Sequence, residues 1–138
     1  MSEDRAFFDT NILLYMYGTR TVKQDRARTL FDEYASAERA VLSTQVVQEF
    51  YAAGSRKLGL LKPEFKEIVA AFLSLPLVVI HPDHILSAIE IEERYGISFW
   101  DSLIVAAAES AEADILYTED LNHGQRYGRV LVQNPFAN

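Results

Sequence analysis

Two acidic residues follow short apolar runs of the chain. Asp9 comes directly after Ala6-Phe7-Phe8, and Asp120 comes shortly after Ile115-Leu116-Tyr117. Each run has the apolar character of a buried strand, and ligands of α/β proteins bind beyond the carboxyl ends of the strands. A helix cap would also explain Asp9, and an Asx turn would also explain Asp120.

Two further acids, Glu49 and Asp101, lie on segments with helical spacing. On a helix that begins near Ser43, Glu49 falls about 40° outside the apolar arc, so it borders the core. Asp101 follows Ser98 by three residues, which is the capping-box spacing, and it adjoins the only Trp of the chain. A surface role for Glu49 and a capping role for Asp101 are the simpler alternatives.

The chemistry of this set depends on whether the four acids converge. Two like charges about 4 Å apart repel by roughly 4 kcal/mol at an effective dielectric constant near 20, so four close carboxylates need a cation. The chain has no Cys and only three His, so the ligands are oxygens, which favours Mg²⁺ or Mn²⁺ over zinc. Such a cation attracts phosphate and activates water, which predicts hydrolysis of a phosphodiester.

Strands and helices that alternate along the chain must position these acids. The spacing predicts strands at 6–8, 41–42, 77–80, 115–117 and 130–132, and helices at 11–17, 22–37, 43–58, 63–75, 82–95 and 98–111. The apolar run at 77–80, in which three residues are β-branched, predicts a strand buried on both faces. The order predicts an α/β fold in which helices cover both faces of a parallel sheet.

Composition limits the class of protein. The chain has 138 residues, 49% of them hydrophobic and 24% charged, which fits one globular domain spanning 1–138 and excludes a disordered or fibrous chain. The absence of Cys points to a reducing compartment, and the N-terminus resembles no secretory signal, so we expect a cytoplasmic protein without a membrane span. The net charge of −7 disfavours nucleic-acid binding unless a metal offsets the repulsion.

Four segments of the chain resemble the acidic motifs of PIN-domain ribonucleases. They are Phe8-Asp9-Thr10-Asn11-Ile12-Leu13, Gln45-Val46-Val47-Gln48-Glu49-Phe50, Phe99-Trp100-Asp101-Ser102-Leu103-Ile104 and Leu116-Tyr117-Thr118-Glu119-Asp120-Leu121. Their order and spacing match across nearly the whole chain. Within that family the chain is most similar to the single-domain VapC-type toxins of toxin–antitoxin pairs.

The resemblance implies a three-layer PIN-like fold with a short, mostly parallel central sheet, and an Mg²⁺-dependent endoribonuclease, with Mn²⁺ as a possible substitute. It implies that the catalytic residues and metal ligands are Asp9, Glu49, Asp101 and Asp120. A hydroxyl of Thr10 or Thr118 and the amide of Asn11 are expected nearby, and Glu119 could share the fourth position. The resemblance also implies a homodimer, an RNA substrate and a small antitoxin whose basic or aromatic tail fills the acidic site.

Other readings of the same residues are weaker or remain open. A haloacid-dehalogenase-type phosphatase requires an Asp where Asn11 stands, and a receiver domain requires a Lys where Thr118 stands. A catalytically silent PIN scaffold that only binds a partner stays open. We interpret His81 and His84 as residues of a solvated helix start and His123 as an exposed loop residue. The candidate phosphate contacts are Arg20, Lys23, Arg26, Arg28, Arg56, Lys57 and Lys62.

Overall fold

The computed structural model describes residues 4–19 and 21–137. Within these ranges six strands and six helices follow one another along the chain. The strands are β1 (Ala6–Phe8), β2 (Ala40–Ser43), β3 (Leu77–Val78), β4 (Ile115–Tyr117), β5 (Arg126–Tyr127) and β6 (Val130–Gln133). The helices are α1 (Thr10–Met16), α2 (Val22–Ser36), α3 (Thr44–Lys57), α4 (Lys62–Leu73), α5 (Pro82–Tyr95) and α6 (Phe99–Ser110).

The strands form one mostly parallel sheet in the order β3-β2-β1-β4-β6-β5. β1 lies at the centre, and it pairs in parallel with β2 on one side and with β4 on the other. Only β5 runs antiparallel, against β6. This arrangement confirms the predicted α/β fold with a short, mostly parallel central sheet and helices around it.

The sheet centre and α6 form the interior of the molecule. Every residue of β1 is fully buried, and so is nearly every residue of α6 from Ser102 to Ala108. The Phe8 ring contacts the rings of Phe31, Tyr34 and Tyr117, which fastens α2 to the sheet. α6 has 12 residues, and no helix in the described ranges is long and apolar enough to cross a membrane.

The prediction of a strand at 77–80 that is buried on both faces is wrong. β3 contains only Leu77 and Val78, both half-buried, and Val79 is 51% exposed. β3 lies at the edge of the sheet, where it pairs with β2 alone. A β-branched run marks strand propensity, but it does not distinguish a central strand from an edge strand.

The sequence analysis missed β5. It is two residues long and belongs to a tight antiparallel turn into β6, with Gly128 between the two strands at a φ of +62°. Two residues are too few to show the alternation that marks a strand. Gly124 precedes β5 at a φ of +84°, and this glycine is the residue from which a turn before β5 could be predicted.

Candidate metal centre

Three of the four predicted acids meet at the carboxyl edge of the sheet. Asp9 follows β1, Asp120 follows β4, and these strands are parallel neighbours. Asp101 reaches the same place from the first turn of α6. One carboxylate oxygen from each of the three lies within 4.8 Å of the others. Asp9 is buried, Asp101 is half-buried and Asp120 is exposed, so the group opens to solvent on one side.

Asp9 is the most strongly constrained carboxylate of the group. It is the N-cap of α1, where its Oδ1 accepts a hydrogen bond from the Thr10 amide at 2.7 Å. Its Oδ2 accepts a hydrogen bond from the Thr118 hydroxyl at 2.8 Å. Burial raises the pKa of Asp9 from 3.8 to about 7 despite these two hydrogen bonds, and the charges of Asp120 and Glu49 raise it further.

Asn11 and Thr118 connect Asp9 to Asp120. The Asn11 amide nitrogen donates to Asp120 Oδ2 at 3.0 Å, and it lies 3.5 Å from Asp9 Oδ2. The Thr118 hydroxyl, which donates to Asp9, accepts from the Asp120 amide at 3.1 Å. The amide and one of the two hydroxyls implied by the resemblance therefore fix the spacing between these two carboxylates.

Asp101 is held by the start of α6. The Ser98 side chain caps this helix by accepting a hydrogen bond from the Asp101 amide at 3.1 Å. Burial raises the pKa of Asp101, an interaction of its carboxylate with the Ser98 side chain opposes the rise, and the charges of Asp120 and Glu49 add to it. Capping and membership of the acidic group therefore coexist in this residue, because the cap uses its backbone amide while its carboxylate lies beside the other acids.

Glu49 lies beside the group of three but is not part of it. It is half-buried on α3, as its position at the border of the apolar arc predicted. The Thr10 hydroxyl donates to Glu49 Oε1 at 2.8 Å, and the Gln45 amide nitrogen lies 3.4 Å from Glu49 Oε2. Its negative charge is close enough to add to the raised pKa values of Asp9 and Asp101.

Glu119 uses both of its carboxylate oxygens away from the acidic group. Its Oε1 accepts a hydrogen bond from the Tyr15 hydroxyl at 2.7 Å, and its Oε2 forms an ion pair with Lys23 at 3.3 Å. Lys23 also lies over the Tyr15 ring. The structure therefore favours Asp120 over Glu119 as the fourth of the acidic residues implied by the resemblance.

The donor set fits a hard divalent cation. The three converging ligand atoms are all carboxylate oxygens, which suit Mg²⁺ or Mn²⁺. Among residues 4–19 and 21–137, no Lys or Arg pairs with any of the four acids, since the ion pair in that part of the chain joins Lys23 to Glu119. The negative charge of the cluster is thus uncompensated by this part of the protein, and a divalent cation would neutralise it.

The histidines take structural roles. His84 Nδ1 accepts a hydrogen bond from the His81 amide at 2.9 Å, and His84 Nε2 lies 2.9 Å from the Ser110 hydroxyl. Both nitrogens of His84 are therefore engaged at the start of α5. His123 Nδ1 accepts from the Asn134 amide at 2.9 Å, which fixes an exposed loop.

The three basic residues of α2 make contacts within the protein. Lys23 pairs with Glu119, Arg26 donates to the Pro135 carbonyl, and Arg28 donates to the Met16 carbonyl. Arg20, which was grouped with them, lies outside the described residues. The basic residues at the end of α3 and the start of α4 are exposed. They are therefore more available than the basic residues of α2 for contacts with phosphate.

Gln45 is a site residue that the sequence analysis missed. It lies in the segment around Glu49, its side chain is 6% exposed, and it contacts both Glu49 and the Trp100 carbonyl. On a helical wheel Gln45 lies about 80° outside the apolar arc of α3, farther out than Glu49, so the spacing does not predict its burial. The available signal was its position four residues before an acid, on the same side of the helix. Once buried, its amide needs hydrogen-bond partners.

A groove of about 440 Å³ opens beside the acidic group. Its lining is mainly apolar and includes Lys57 and also Asn11, which contacts Asp9 and Asp120. Leu14 and Leu58 supply apolar surface from the end of α1 and the end of α3. The groove therefore offers an apolar surface that leads to the carboxylates.

Solved structures with the same architecture share little sequence with this chain. A toxin–antitoxin complex from Klebsiella pneumoniae matches with a TM-score of 0.73 at 18% identity, over 95% of this chain and 98% of that chain. VapBC2 from Rickettsia felis, bound to a DNA fragment from its promoter, matches with a TM-score of 0.68 at 21% identity, over 94% and 97%. The Mycobacterium tuberculosis toxin VapC20, described as cleaving the sarcin–ricin loop, matches with a TM-score of 0.66 at 20% identity, over 83% and 91%.

At identities of 18% to 21%, these likenesses show a shared fold. No curated protein matches the sequence significantly. The profile of the PIN domain family, however, matches residues 6–128, which is most of the chain and includes all four predicted acids. The chain belongs to the PIN domain family.

Proposed function

We propose that this protein is an Mg²⁺-dependent endoribonuclease and the toxin of a type II toxin–antitoxin system. The observation that carries the proposal is the convergence of Asp9, Asp101 and Asp120 at the carboxyl edge of a PIN-family sheet. The structural likeness to a toxin–antitoxin complex and to a toxin that cleaves the sarcin–ricin loop supports it.

The four acids have distinct positions in the proposed reaction. Asp9, Asp101 and Asp120 would hold the cation, with Glu49 beside them. When bound, Mg²⁺ would attract the scissile phosphate and lower the pKa of a water molecule. Glu49, whose orientation the Thr10 hydroxyl fixes, would complete the ligand set through a water molecule of the cation.

RNA binding by a chain of net charge −7 requires local positive charge. At the scissile phosphate, a cation held by the acids would supply it. We propose that the exposed basic residues Arg56, Lys57 and Lys62, at the junction of α3 and α4, contact neighbouring phosphates. Lys57 also lines the apolar groove, so these contacts lie on a path to the acids.

The proposed activity predicts internal cleavage of RNA that depends on a divalent cation. Purified protein is incubated with an end-labelled structured RNA in Mg²⁺, in Mn²⁺ and in EDTA, and the fragments are resolved on a sequencing gel. We expect internal cuts with either cation and none above the buffer background in EDTA. Intact RNA in Mn²⁺, from protein that binds Mn²⁺, would indicate a catalytically silent scaffold instead.

We propose that an antitoxin inhibits the enzyme by placing a basic side chain among the four acids. An Arg fork matches carboxylate oxygens and competes for them with the cation. The groove beside the acids, lined by Leu14, Leu58 and Tyr15, would receive the apolar residues of the same segment.

Replacing that Arg or Lys of the cognate antitoxin by Ala should therefore restore nuclease activity while the complex persists. Cleavage by the purified complex, with its mass checked by light scattering, measures this. The matched control replaces a basic residue elsewhere in the antitoxin. If no basic residue of the tail releases activity when replaced, the antitoxin blocks RNA access at a distance from the acids.

We also propose that the chain acts as a single domain, in the cytoplasm and as a homodimer. Ile85, Leu86 and Ile89 form an exposed apolar stripe on α5, at 43%, 63% and 47% exposure. Contiguous apolar surface of this kind is typical of interfaces. The mass of the protein alone in solution, measured by light scattering, tests the dimer.

A further inference from the structure

Gln45 connects the helices that carry two of the acids. It occupies the first turn of α3, one turn before Glu49, and Trp100 occupies the first turn of α6, directly before Asp101. The Gln45 amide nitrogen lies 3.4 Å from Glu49 Oε2 and 3.3 Å from the Trp100 carbonyl oxygen. These contacts are long, and an amide NH₂ carries one hydrogen for each of them.

The two partners determine the orientation of the Gln45 amide. A carboxylate and a backbone carbonyl can only accept hydrogen bonds, so the nitrogen must face them. The oxygen Oε1 is then turned away. It is buried and has no hydrogen-bond partner within the described part of the chain.

A buried carbonyl oxygen without a partner destabilises the folded state. An apolar side chain of similar size at this position, such as methionine, would fill the same buried space without that cost, since the Gln45 side chain is itself buried. The fold alone therefore gives no reason for a glutamine here. The two contacts of its nitrogen with the acidic site do give one.

We propose that Gln45 is a positioning residue that holds Glu49 and the start of α6 at the spacing that the divalent cation requires, at a cost in stability. This inference rests on the proposed function and deepens it, because it names a determinant of cation affinity outside the four acids. Partners that orient metal ligands typically contribute about 10-fold to 100-fold to metal affinity.

The test compares Gln45→Met with Gln48→Met. Gln48 lies on the same helix but is exposed, so it controls for the chemistry of the substitution. Mn²⁺ affinity is measured by calorimetry, and thermal unfolding is measured separately in EDTA. For Gln45→Met we expect a melting temperature in EDTA equal to or above that of the wild type, and Mn²⁺ binding weaker by about 10-fold or more. Gln48→Met should match the wild type in both measurements.

A double-mutant cycle with Glu49→Ala shows whether Gln45 acts through its partner. If it does, Gln45→Met should weaken Mn²⁺ binding much less when Glu49 is already absent. Wild-type Mn²⁺ affinity in Gln45→Met, or fully additive effects in the cycle, would overturn the positioning role and leave the proposed function intact. A wild-type protein that binds no Mn²⁺ would overturn both.

Discussion

Replacing Asp9 by asparagine should abolish RNA cleavage, with a loss of more than about 100-fold. Asp9 is the buried member of the acidic group, and both of its oxygens are fixed by hydrogen bonds from Thr10 and Thr118. The amide retains the shape of the side chain but removes a negative charge from the candidate cation site. Since residues that only orient metal ligands already contribute about 10-fold to 100-fold, loss of a ligand should cost more. Cleavage rates of end-labelled RNA in Mn²⁺ measure the effect.

The matched control for Asp9→Asn is Asp32→Asn. Asp32 is exposed on α2. Its replacement by asparagine makes the same change, from a carboxylate to an amide, at a position outside the acidic group. This variant should cleave at the wild-type rate, and circular dichroism should show both variants folded. Equal cleavage by wild type and Asp9→Asn would mean that a contaminating nuclease produces the fragments.

The sequence predicts the elements of this fold well where length and spacing carry the signal. α5 begins at Pro82 and ends at Tyr95 as predicted, because proline favours the first helical turn and Gly96 adopts the left-handed conformation after the last. The position of a strand within the sheet is not predicted in this way. Whether Leu77 and Val78 lie at the centre or at an edge depends on which strands pair, and local sequence does not encode that choice.

The site is predictable to a similar degree. Asp9 and Asp120 follow strands that prove to be parallel neighbours, so topology alone brings them together. The hydrogen bonds between site residues cannot be predicted in this way. The contacts of Thr10 with Glu49 and of Gln45 with Trp100 join residues 39 and 55 positions apart. Such pairs depend on how α1, α3 and α6 pack, and a single sequence does not reveal that packing.

Addition of Mn²⁺ should raise the melting temperature of the wild-type protein by about 10 °C. A ligand that binds only the folded state stabilises it by RT ln(1 + [L]/Kd), which is about 2.7 kcal/mol at 100 times Kd. For a domain of this size, about 1 kcal/mol corresponds to roughly 4 °C. Thermal unfolding followed by circular dichroism, in EDTA and in millimolar Mn²⁺, measures the shift. Asp101→Asn should reduce it, and Asp32→Asn should not.

The stabilisation by Mn²⁺ should be larger at pH 8 than at pH 5.5. The pKa of Asp9 is about 7 in the folded protein against an ordinary value of 3.8, so between these values the folded state holds a proton that the unfolded state releases. In the absence of metal, stability therefore falls as pH rises through this window, by at most about 1.4 kcal/mol per pH unit for one proton. A cation bound by Asp9 must displace that proton, so it binds more weakly at pH 5.5. An equal shift at both pH values, unaffected by Asp101→Asn, would place the cation away from the acidic group.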